Sequence, residues 1–167
     1  MCDFDPQLKI NGTTVVCGEF TKVQVSQAPG FPGDVSNMIV DPSRPFKIDL
    51  EWKMAGELGY VNTVLNDIGD KEWKIQVFAE KMGPGTDLQI YNTILPNVVV
   101  PVDTLPATWN HSCNISANVL EEHVPGDPTK SGMYRLCFVI FANTTVPGCN
   151  DIIGCREGPI ILAERRQ

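Results

Sequence analysis

A chain of 167 residues with 43% apolar and 20% charged side chains has ordinary globular composition, and the whole span 1–167 reads as a single domain. Its net charge of −7 repels phosphate backbones and anionic lipid, which disfavours general nucleic-acid and membrane-surface binding. No apolar run approaches the roughly 20 residues that a membrane span needs, and 14 glycines with 13 prolines imply the many turns of an all-β fold.

The opening residues, Met1 to Pro6, lack the basic and apolar segments of a signal peptide. Asn11-Gly12 is the first turn signal. Val23 and Val25 alternate with Lys22, Gln24 and Ser26, the period of a half-buried strand. After a Pro/Gly-rich turn at 28–34, Phe46, Ile48, Leu50, Trp52 and Met54 alternate with Lys47, Asp49, Glu51 and Lys53. That places one face in a core and the other in water. Val61, Val64, Leu65 and Ile68 fall at helical spacing between Gly59 and Gly69, so a short helical turn is expected in a crossover there. Trp73, Ile75, Val77 and Ala79 form the next strand, with Phe78 the one apolar intruder on its polar side. Leu88–Ile90 and Val98–Val102 read as further strands, the second flanked by Pro96 and Pro101 as an edge strand would be. Trp109, His111, Cys113, Ile115 and Ala117 share one phase against Asn110, Ser112, Asn114 and Ser116. Turns at Pro125-Gly126-Asp127-Pro128 and Pro147-Gly148 bracket a long strand, and Ile160 to Ala163 reads as the last one.

The run Ser131-Gly132-Met133-Tyr134-Arg135-Leu136-Cys137-Phe138-Val139-Ile140-Phe141 resembles the penultimate strand of immunoglobulin-like and fibronectin type III-like domains. In those domains a Gly-x-Tyr opens the strand, the ring packs in the core and the hydroxyl bonds backbone at the sandwich corner. Gly132 and Tyr134 match this pattern, and Trp52 or Trp73 suits the buried tryptophan of an inner strand. The chain departs from the antibody pattern in holding Leu136 where that pattern has cysteine. The resemblance implies a two-sheet immunoglobulin-like sandwich. It implies no single function, because that fold carries many.

Six cysteines raise the question of pairing. Cys149 and Cys155 share one glycine-bearing loop and are expected to bridge, as are Cys2 and Cys17 near the N-terminus. These pairs lean towards an extracytoplasmic location. Cys113 and Cys137 are expected to stay free, because Cys137 faces away from a core that holds Tyr134, Leu136 and Phe138. No Cys-x-x-Cys pair suggests zinc, and the cluster Asp67, Asp70, Glu72 lacks the spacing of a calcium loop, so no metal or cofactor is expected. The two histidines, His111 and His123, stand outside any hydrolase, metalloprotease or phosphate-loop motif, and no catalytic residue is expected. Asn-x-Ser/Thr occurs at Asn11, Asn110, Asn114 and Asn143; Asn110 and Asn114 lie on a polar face able to carry glycan.

The most informative feature is the far side of the strand at Tyr134. Arg135, Val139 and Phe141 emerge there, and Phe78 adds an apolar group on its own strand. Either the segment 54–70 covers this face, or it receives a protein partner or a second copy. The leading expectation is a non-enzymatic protein-interaction or structural module. The alternative is a carbohydrate-binding module using Trp109, Tyr91, Tyr60 or Phe31, and a small hydrolase or lyase built on either histidine comes third.

Overall fold

The structure, a computed structural model, describes residues 4–5, 8–10, 13–27, 39–56, 72–96, 107–127, 129–142 and 152–165. They form ten strands and no helix: β1 (Phe4–Asp5), β2 (Leu8–Ile10), β3 (Thr13–Ser26), β4 (Ile39–Val40), β5 (Phe46–Gly56), β6 (Trp73–Lys81), β7 (Leu88–Leu95), β8 (Ala107–Ile115), β9 (Met133–Ala142) and β10 (Ile152–Ala163). One sheet has the order β1-β10-β9-β6-β7, with β4 beside β10, and the other the order β2-β3-β5-β8. Every pairing is antiparallel except the short parallel contact of β4 with β10. The helical turn expected at 61–68 and the strand at 98–102 lie outside the described residues.

The alternation in the sequence is the alternation of burial. Along β5, Phe46, Ile48, Leu50, Trp52 and Met54 are buried while the intervening charged residues are half-exposed. On β6, Trp73, Ile75, Val77 and Ala79 point inward, and on β9 Tyr134, Leu136, Phe138, Ile140 and Ala142 do the same. The two sheets meet through these faces, with an aromatic nest at one end. Trp52 of the second sheet packs edge-on to Trp73 of the first, ring centres 6.0 Å apart, and stacks on Trp109 at 6.4 Å. Phe4 completes the nest against Phe20 and Trp73. It fits because Gly18 and Gly154 flank its ring: a Cβ on either would come within 2.5 Å of a ring carbon.

Side-chain bonds tie the sheets along both open sides. On one, the Tyr91 hydroxyl lies 2.8 Å from His111 Nε2, joining edge strands β7 and β8. On the other, Arg156 Nη1 donates to the Phe20 carbonyl at 2.5 Å. Tyr134 is wholly buried, and its hydroxyl accepts from the Glu121 amide at 3.0 Å, a side-chain-to-backbone bond from β9 to the loop before it. Gly132 makes the approach to β9 with φ +62, and a Cβ there would strike the His123 backbone.

The last strand is longer than the sequence suggested. It begins at Ile152 instead of Ile160 and crosses a bulge between Glu157 and Ile160. Gly154, Gly158 and Pro159 look like loop residues, yet all three lie within β10, Gly154 opposite Ile140 and the other two in the bulge. Gly154 admits the Phe4 ring, and Gly158 lies against the ring of Phe138 at the bulge.

Candidate functional site

The two sheets present outer faces of opposite character. On the β3-β5-β8 sheet the outward residues are polar and bonded to one another. Lys53 pairs with Glu19 at 2.7 Å and Lys47 with Asp49 at 3.0 Å, while Ser112 donates to Asp49 at 2.6 Å and Thr21 to Glu51 at 2.5 Å. Burial opposes the charge on Asp49, but the bonds from Ser112 and Lys47 hold its carboxyl below the usual range. Beside these pairs lies an open hollow of about 310 Å³ lined in part by Lys22, Glu51, Asn110 and Ser112.

The outer face of the β10-β9-β6-β7 sheet is different, and the ladder register orders it in rows. Ile153 stands opposite Phe141, Phe141 opposite Lys74, and Lys74 opposite Ile94. The next row is Cys155, Val139, Gln76 and Asn92, and the one after it Glu157, Cys137 and Phe78. Ile153 is 47% exposed and Ile94 49%, at opposite ends of the first row. Lys74 Nζ sits 5.3 Å from the centre of the Phe141 ring, a cation held over an aromatic face. Beside it lies a shallow open depression of about 500 Å³, lined by Lys74, Gln76, Asn92, Ile94 and Phe141 among others. Charge returns at the far end, where Arg135 meets Glu157 at 3.3 Å.

The four residues singled out in the sequence therefore share one sheet face. Val139, Phe141 and Phe78 lie in successive rows, and Arg135 closes the face at its charged end. All four are half-buried. Ile153, Ile94, Lys74 and Cys155 also belong to it and were missed. Ile153 and Cys155 were hidden in a stretch that reads as a loop, and Ile94 lies beyond Ile90, where the strand was read to end, although β7 runs on to Leu95. The segment 54–70, the alternative cover for this face, lies beyond Gly56 outside the described residues.

The cysteines require one correction. Cys155 is a free, exposed thiol, so the expected Cys149–Cys155 bridge is not formed. The reason is positional: Cys155 sits within the β10 ladder opposite Val139, projecting from the outer face, and is not part of a loop that returns on itself. Cys149 lies outside the described residues. Cys113 and Cys137 are free, as expected, and burial pushes both thiols up to about 12, with Glu80 adding to the effect at Cys137. Cys17 is disulfide-bonded, while Cys2, its expected partner, lies outside the described residues.

The candidate rings and histidines are engaged elsewhere. Trp109 is half-buried against Trp52, Tyr91 is bonded to His111, and Tyr60 and Phe31 lie outside the described residues. His111 contacts Tyr91, and burial lowers its pKa. His123 Nδ1 lies 2.9 Å from the Ser131 carbonyl. Among the described residues no group of three or more His, Cys, Asp or Glu side chains is arranged to hold a metal ion, and no helix is long and apolar enough to cross a membrane. No protein-family model matches the chain, and a search of curated proteins finds no relative.

Proposed function

We propose that this chain is a non-enzymatic interaction module with an immunoglobulin-like arrangement of its two sheets, which binds protein through the outer face of the β10-β9-β6-β7 sheet. The corner bond of Tyr134 supports the architecture. The observation that carries the function is the row Ile153, Phe141, Lys74 and Ile94 with Val139 and Phe78 behind it. Apolar side chains scattered singly on a surface need no partner, whereas a contiguous set rimmed by charge marks a contact surface. Here the rim is Arg135, Glu157 and Glu80. The depression beside Phe141 suits one protruding side chain of the partner, which is how an interface concentrates its binding energy. The partner is another protein or a second copy of this chain.

The test is the double variant Val139→Lys/Phe141→Glu. Sedimentation and cross-linking should show the wild-type association lost, while urea unfolding stays a single cooperative transition. If the variant unfolds instead, the face is core, and the binding surface must be sought in the loops. Ring stacking, the hallmark of sugar binding, is a weaker reading because Trp109 and Tyr91 are committed to contacts within the fold.

A further inference from the structure

The opposite face carries a second, independent feature. The chain has 11 asparagines and 17 serines and threonines in 167 residues, so chance places a hydroxyl residue two positions after an asparagine about once. It occurs four times, at Asn11, Asn110, Asn114 and Asn143. Asn110 and Asn114 are the two that fall among the described residues, and both occur on β8. Burial along β8 alternates, and both asparagines are exposed while Cys113 and Ile115 on the other phase are buried. A shift of one residue would have turned both amides into the core.

The setting suits a bulky addition. Among the described residues the strand is the last in its sheet, so a group on its outer side can swing away from the sheet. Asn110 stands opposite Glu51 and Asn114 opposite Lys47, on the polar outer face of this sheet. Four residues of strand separate the two amides by about 13 Å, room for two attachments side by side. We infer that Asn110 and Asn114 are N-glycosylation sites, so that one face of the molecule is sheathed in carbohydrate and the other is left for protein.

The donor is an oligosaccharide carried on a lipid pyrophosphate. A bond forms between the asparagine Nδ2 and the anomeric carbon of the first hexosamine. The bond from that carbon to the pyrophosphate oxygen breaks, the lipid pyrophosphate departs with the electron pair, and the amide gives up one proton. Neither amide is oxidised or reduced. The acceptor needs the hydroxyl two residues on, here Ser112 and Ser116.

The experiment is peptide mapping of the protein isolated from its own organism, with glycan released by peptide N-glycanase in ¹⁸O-labelled water. Asn110 and Asn114 should each appear as ¹⁸O-labelled aspartate after release and be absent as plain asparagine before it. In a eukaryotic secretory host, read on total luminal chain, Asn110→Gln and Asn114→Gln should each remove one glycan increment. Ser112→Ala and Ser116→Ala should remove the same increments with the asparagines intact. Unmodified asparagine at both positions in the native protein overturns the inference, whatever the heterologous host adds.

Discussion

Cys155 and Cys137 sit on the same outer face, in adjacent rows of the ladder, yet their chemistry differs. Cys155 is exposed, whereas Cys137 is half-buried with its thiol pushed up to about 12, and Cys113 is buried with its thiol equally high. The thiolate is the reactive species, so raised pKa and burial both suppress attack. Of these three thiols only Cys155 should react with a maleimide in the folded protein at neutral pH, and the other two should follow after denaturation. Peptide mapping of the labelled protein checks this, and fast labelling of Cys113 would show the core assignment to be wrong. At this scale the sequence was informative where a residue's phase decides its surroundings. Phase put Cys137 outside and Tyr134 inside. It was misleading for Cys155, because proximity along the chain to Cys149 suggested a loop where a ladder runs.

Strand β5 was legible because it alternates strictly from Phe46 to Met54, and β6 because it does so apart from Phe78; β9, apolar on both faces, was legible from its Gly-x-Tyr opening and its unbroken apolar run. The start of β10 was not legible, since glycine and proline inside a strand normally argue against it. Only the neighbours explain them. The Phe4 ring occupies the space left by Gly154, and Phe138 that left by Gly158. Strands β1 and β4 have two residues each, too short for any periodic signal, and exist because β10 offers them a partner. The bulge gives a test. A Cβ at position 158 would collide with the Phe138 ring and sit 3.2 Å from the Leu136 carbonyl oxygen. Phe138 is completely buried and has nowhere to go. Gly158→Ala should therefore cost about 1–3 kcal/mol, typical of overpacking, seen as a lower urea midpoint at unchanged slope.

Along its two open sides the molecule carries side-chain bonds between the sheets, and one of these involves a titratable group. Burial lowers the pKa of His111 from 6.5, so between its folded value and 6.5 the unfolded chain binds more protons than the folded one. The stability that depends on neutral His111 is thus complete above about pH 6.5 and is lost as the pH falls through the window beneath it. Replacing His111 with Gln should flatten the stability profile below pH 6.5, measured by urea unfolding at each pH. Parallel profiles for the two proteins would show that the ring makes no pH-dependent contribution to the β7–β8 seam.

The pairing of β1 with β10 has a consequence for how the chain is made. Phe4 lies opposite Gly154, so one of the first described residues meets one of the last. A chain emerging from the ribosome can pair β3 with β5 and β6 with β7 early, since those strands are near neighbours in sequence. Phe4 must wait for its pocket, because one wall of it, Gly154, is synthesised about 150 residues later. Throughout that interval the aromatic nest lacks the ring that closes it, and the nascent sheet lacks the strand that borders β9. Synthesis of the final strand is therefore the moment of commitment, and a chain stalled before residue 152 would leave Trp73 and its neighbours available to chaperones or to other unfinished chains.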